Sequence, residues 1–194
     1  MPSSNSNKPY RTLLLTATVS LLLGQAAQAA DPAHSFVLTA YSNAAGGPEL
    51  ISGNYGAATE ALRYPPRITV SDAGTTSNNR CVALTMTKQW DSARAACNQA
   101  VRDAQQEKAM LPSYQYWARE FKNDNLAVAL SNRAVLHWMS SDSAAAANDL
   151  KRAAALSPKA DFVAHNLAAL EYSHTGGAVA QVSVAPGSPG SAGN

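Results

Sequence analysis

Few side chains in this sequence have types and spacing that could do chemistry. There are two cysteines, Cys81 and Cys97, and four histidines, His34, His137, His165 and His174. No Cys-x-x-Cys occurs, and no basic residue is tied by spacing to either sulfur to hold a reactive thiolate. A pair of cysteines excludes a disulfide-dense scaffold and a cysteine-rich zinc site. No two histidines have the close helical spacing of a metal-binding pair. No phosphate-binding glycine loop, nucleophile elbow or paired-carboxylate motif is present. The acidic residues are scattered and read as solvated faces. The expectation is a chain with no catalytic residue, no metal and no cofactor.

The elements that position these residues follow from composition. The chain has 194 residues, enough for one domain with tails or a short repeat array. Lys+Arg number 15 against 13 Asp+Glu, a formal charge of +2, so no basic footprint recruits nucleic acid. About one residue in five is alanine, well above ordinary usage. Alanine is the best helix former and allows close helix–helix approach. Aromatic residues make up 7%, too few, with the β-branched residues, for a β-sandwich. The fold class is therefore all-α.

Targeting is read before folding. Lys8 and Arg11 form a positive leader, Leu13 to Leu23 an apolar stretch, and Ala27-Gln28-Ala29 a small-x-small cleavage site. That order is the signature of a secretory signal peptide over 1–29. The apolar stretch runs about 11 residues, short of the roughly 20 that a spanning helix needs. Removing Lys8 and Arg11 leaves 13 basic against 13 acidic residues, a neutral mature chain. The expected localisation is periplasmic or secreted, with no transmembrane span, in an oxidising compartment where two cysteines can pair.

The middle of the chain repeats itself. Asn79-Arg80-Cys81-Val82 aligns with Asn132-Arg133-Ala134-Val135. Ala93 and Ala100 in the first copy match Ala146 and Ala153 in the second, and Pro158 follows. A third copy opens with Asn166-Leu167-Ala168, 34 residues after Asn132. This pattern resembles the tetratricopeptide repeat family, a helix–turn–helix unit of 34 residues with small residues at positions 8, 20 and 27 and proline at 32. The match covers units at roughly 74–107 and 127–160 and the first helix of a third, about Asp161 to Tyr172. The glycine expected at the turn is replaced by Lys88 or Gln89 in the first unit and by Ser141 in the second. Asp124 or Asn125 is placed to cap the helix ending near Met139, and Pro158 stops the helix before it.

The rest of the chain is organised around this array. A degenerate hairpin falls within 30–73, with Ala58 at position 20 and its first helix expected within Phe36 to Ile51. Residues 30–37 read as a loose lead. An insert around 104–124 carries Tyr114, Tyr116, Trp117 and Phe121, with a short helix expected from Ser113 to Phe121. The tail over 173–194 is rich in Gly, Ser and Pro and is expected to be disordered.

The resemblance implies a short right-handed superhelical array of two to three hairpins whose first helices line a concave groove. On the repeat template Cys81 and Cys97 face each other across one hairpin, which implies a disulfide. The groove positions map to Asn78, Asn79, Val82, Thr85 and Met86, to Val128, Ser131, Asn132, Val135, Trp138 and Met139, and to Phe162, His165, Asn166 and Ala169. The three asparagines could hold a peptide backbone through their amides, or bond within the array. The implied function is a non-enzymatic interaction module or scaffold of the cell envelope, binding an unidentified peptide or protein partner. One alternative is a self-associating structural protein, a homo-oligomer joined through the aromatic insert. Another is an enzyme or accessory acting on an envelope or secreted substrate.

Overall fold

The computed structural model describes residues 34–64, 73–110, 116–177, 179 and 181–187, with backbone only over 116–121. The expected signal peptide, and the side chains of Trp117 and Phe121, lie outside the described residues. The order of elements is β1 (Phe36–Tyr41), α1 (Gly47–Ile51), α2 (Tyr55–Ala61), α3 (Ala73–Met86), α4 (Trp90–Met110), α5 (Tyr116–Met139), α6 (Ser143–Leu156), α7 (Asp161–His174) and β2 (Val182–Gly187). The molecule is mostly helical, with one sheet of two strands.

Helices adjacent in sequence pack on one another from α3 to α7, and α5 also touches α3 and α7. The outer helices follow the amphipathic rule. In α4 the buried residues are Ala93, Ala96, Cys97, Ala100, Val101 and Ala104, one stripe at three- and four-residue spacing. In α6 they are Ala146, Asp149, Leu150 and Ala153. The alanines that the repeat pattern placed at helix crossings, Ala93, Ala100, Ala134, Ala146 and Ala153, are fully buried. The inner helices are buried nearly all round. In α3 the run from Cys81 to Thr85 is buried without a break, as is Asn125 to Asn132 in α5. A helix buried on both sides needs a second layer, and β1 supplies it by packing against α3, α5 and α7.

Both hairpin turns reverse the chain without a glycine. Lys88 and Ser141 adopt left-handed backbone with φ of 56° and 65°. Asp142 caps α6 by accepting from the Ala145 N–H at 3.0 Å. The α6 helix ends at Leu156, with Pro158 just beyond. Cys81 and Cys97 form a disulfide between α3 and α4 with Cα atoms 4.6 Å apart. Among the described residues no helix is long and apolar enough to cross a membrane. The disulfide fits an oxidising compartment such as the periplasm or the extracellular space.

Four expectations are corrected. Residues 36–41 form a strand rather than a loose lead or a helix, and the helix within this region is only Gly47–Ile51. The physical reason is local: Val37 and Thr39 are β-branched, and Gly46-Gly47-Pro48 breaks any helix before α1. Gly46 caps α1 at φ 71°, and a Cβ on Gly47 would collide with the backbone oxygens of Tyr41 and Ser42. Asp124 and Asn125 lie inside α5 rather than capping it, since the helix runs unbroken from Tyr116. The short helix expected to end at Phe121 is thus the first turns of α5. The tail over 173–194 is not wholly without order: Val182–Gly187 is strand β2, paired in parallel with β1.

Candidate functional site

The asparagine shared by the three repeat copies defines the site. Asn79 on α3, Asn132 on α5 and Asn166 on α7 are each fully buried. Their side-chain amides point at β1. Asn166 accepts from the Val37 N–H at 2.7 Å and donates to the Val37 carbonyl at 2.8 Å. Asn132 accepts from the Thr39 N–H and donates to the Thr39 carbonyl, both at 2.8 Å. Asn79 accepts from the Tyr41 N–H at 2.8 Å and donates to the Tyr41 carbonyl at 2.9 Å.

Each amide thus offers one acceptor and one donor to a single residue, as a neighbouring strand does across a hydrogen-bonded pair. Alternate residues face one edge of a strand, about 6.7 Å apart. One step of the helical array therefore advances two residues along the strand. The ladder satisfies a whole edge of β1, and the other edge pairs with β2 in register Phe36↔Val182 to Tyr41↔Gly187. On that side the Phe36 N–H donates to the Gln181 carbonyl at 3.1 Å.

The residues before Asn79 and Asn132 orient the amide of the next ladder asparagine. Asn78 accepts from Asn132 Nδ2 at 2.9 Å and donates to the Thr39 carbonyl at 2.9 Å. Ser131 Oγ accepts from Asn166 Nδ2 at 2.8 Å. His165 holds the same place before Asn166, and its buried Nε2 has no hydrogen-bond partner among the described residues. Asn78 and Ser131 both stood among the groove positions that the repeat resemblance implies. What their positions did not indicate is that each would bond the amide of the next ladder asparagine.

The other expected groove residues serve the same strand or the core beneath it. Val82 and Val135 are fully buried in the cluster that includes Phe36, Leu38 and Ala40 of β1. Met86, Trp138 and Met139 are half-buried against that cluster. Trp138 packs on the Phe36 ring with centroids 4.4 Å apart. Val128 is buried, and Phe162 packs on the separate cluster around Leu130 and Val163. The predicted positions are therefore brought together, but the segment along them belongs to this chain.

Titratable groups gather at two ends of the site. Tyr41 donates its hydroxyl to Asn125 Oδ1 at 2.9 Å. Burial, with Glu107 and Asp124 nearby, pushes this phenol well above its ordinary range, so it stays neutral. Glu107 accepts from the Gly74 N–H at 3.2 Å, and burial raises its carboxyl. At the other end Arg133 donates to Asp149 through Nε at 2.7 Å and Nη2 at 2.9 Å, and to Asn98 through Nη1 at 2.9 Å. His137 Nε2 lies 3.8 Å from Asp149. Burial lowers this imidazole, with the Arg133 charge adding to it and Asp149 opposing.

Among the described residues no group of three His, Cys, Asp or Glu could hold a metal. A cavity of about 130 Å3 lies between α2, α3 and the start of α4, lined by Leu62, Arg63, Arg80 and Gln89 among others. That is smaller than the roughly 300 Å3 at which small-molecule sites begin. No family model matches the chain, and neither does any curated protein or solved structure.

Proposed function

We propose that this chain is an exported, non-enzymatic protein–protein interaction scaffold of tetratricopeptide type, working in the periplasm or after secretion. Its hairpins form a short right-handed array whose concave face holds an extended polypeptide strand. The observation that carries this reading is the ladder of Asn79, Asn132 and Asn166, which grips alternate residues of β1 by donor–acceptor pairs. Such a ladder reads backbone rather than side chains, which is the physics of strand recognition. Amides neither ionise nor act as nucleophiles in this setting, so the site is suited to holding rather than transforming. With β1 seated, the partner meets the rim of the groove and the strand it carries.

The test is photo-crosslinking in the native envelope from rim positions Met86 and Met139, with exposed Lys151 as control. The expected result is one dominant protein adduct from both rim positions and none from 151. A folded protein that gives no adduct at 86 or 139, or the same adducts at 151, would overturn the reading.

A further inference from the structure

The two strands of the sheet are held very differently. In β1 every residue but Val37 is buried, and three asparagines fix one edge. In β2 no residue is buried, and Gln181, Ser183 and Pro186 are exposed. Where β1 touches α1, α3, α5 and α7, β2 packs mainly on β1 and α1. No charged residue occurs from Thr175 to Gly187, and the strand is reached through Gly176, at φ 82°, and Gly177. Segments with few buried contacts open locally at far lower cost than the core around them.

By strand alternation, the N–H and C=O groups of Phe36, Leu38 and Ala40 face β2. Removing β2 would leave those groups as an open edge on a strand that the asparagines still hold rigid. The outer edge of β2 is a poorer template. There the alternation exposes Val182, Val184 and Pro186, and proline offers no N–H.

We propose that β1 is a strand-addition site, closed in cis by β2, for an extended partner segment of Val-x-Val type running parallel to β1. This rests on the scaffold reading above and names the partner's chemistry. The segment that fits is the one β2 exemplifies: uncharged, with apolar residues opposite Phe36 and Leu38 and a glycine opposite Tyr41. The glycine is required because a Cβ at 187 would stand 2.7 Å from Thr39 Cγ2. The exchange breaks no covalent bond. One set of parallel ladder bonds replaces another, so partner concentration and the linker's effective concentration set the occupancy.

The experiment uses the full chain. Hydrogen exchange should show the inward amides of β2 exchanging at least roughly 100-fold faster than the Val37, Thr39 and Tyr41 amides. In the variant Ser183→Pro, which removes an inward N–H of β2, a labelled peptide of residues 179–188 should bind at least roughly tenfold tighter than to the parent chain. The same peptide carrying Ser183→Pro should not bind. Slow exchange in β2 equal to that in β1 would overturn the proposal, as would loss of folding in Ser183→Pro, since β2 would then belong to the cooperative core. A folded variant that ignores the peptide would also overturn it. So would a parent chain that forms dimers through exchanged β2 strands, because the occupant would then be a second copy. Failure here with rim crosslinking intact removes the strand-addition site alone. Failure of rim crosslinking with peptide binding intact removes the envelope partner.

Discussion

The hairpins α3–α4 and α5–α6 share a repeat pattern but are fastened by different chemistry. In the first, Cys81 on α3 and Cys97 on α4 are bonded covalently. In the second the same positions hold Ala134 and Leu150, both fully buried, so packing does what the disulfide does. The second hairpin adds a part-buried ion pair, Arg133 with Asp149, whose side chains are 17% and 4% exposed. That pair also reaches back to Asn98 on α4 and so ties the two hairpins together. One backbone plan thus tolerates a covalent, an apolar or an ionic fastening, as long as the helices stay close. The covalent choice works in an oxidising compartment and fails in a reducing one.

The comparison can be broken at its ionic end with the largest effect. Asp149→Ala leaves the half-buried Arg133 guanidinium with Asn98 but without its carboxylate, and should cost up to about 3–4 kcal/mol in urea unfolding. The paired change Arg133→Met with Asp149→Leu should recover most of that loss, and failure to do so would mean that the pair also sets the α4–α5 contact. Next in size, reducing the disulfide opens a loop of about 17 residues and should cost about 3 kcal/mol. Amide exchange should then speed up in α3 and α4 more than in α5 and α6. Giving the first hairpin the residues of the second, Cys81→Ala with Cys97→Leu, should restore part of this stability under reducing conditions.

Smaller effects sharpen the likeness rather than the contrast. Lys88→Gly and Ser141→Gly relieve left-handed backbone at equivalent turns. Each should raise stability by about 0.5–1 kcal/mol, and equal shifts in thermal unfolding would confirm that the turns are equivalent. The smallest effect is a pH dependence confined to the second hairpin. His137 is lowered by burial, with Arg133 adding and Asp149 opposing. The unfolded chain therefore binds more protons than the folded one just below the ordinary imidazole value of about 6.5. Stability should fall as pH drops through that window, and His137→Asn should flatten the fall there. An unchanged slope in that variant would assign the dependence to another group.

Much of the helical frame was legible in the sequence. The spacing of Ala93, Ala100, Ala146 and Ala153 gave the crossings, because close packing admits only small residues there. The turn positions were legible even without glycine, since the pattern on either side fixes where the chain must reverse. The start of α5 was not. Asp124 and Asn125 carry the local signature of a cap, but inside a longer helix they bond to Ser157 and Tyr41 instead. A local signal of about 1 kcal/mol does not stop a helix that packing continues.

The site was half legible. The sequence identified the asparagines and left open whether their amides hold a backbone or bond within the array. It did not identify the strand they hold. Phe36 to Tyr41 is separated from Asn166 by well over a hundred residues, and nothing in a six-residue stretch states what will lie along its edge.

By its own local patterns the sequence determined the alanine-built hairpins, their turns and the recurring asparagine, while the pairing of the two cysteines came only from the repeat resemblance. These depend on short-range periodicity and on side-chain size. Only the tertiary structure decided that the asparagines would hold β1, that β2 would cover its far edge, and that α3 and α5 would be buried on both sides. The reason is that strand pairing is a long-range contract. A strand's backbone groups are satisfied by whatever edge the fold brings beside them, and that edge is written elsewhere in the chain.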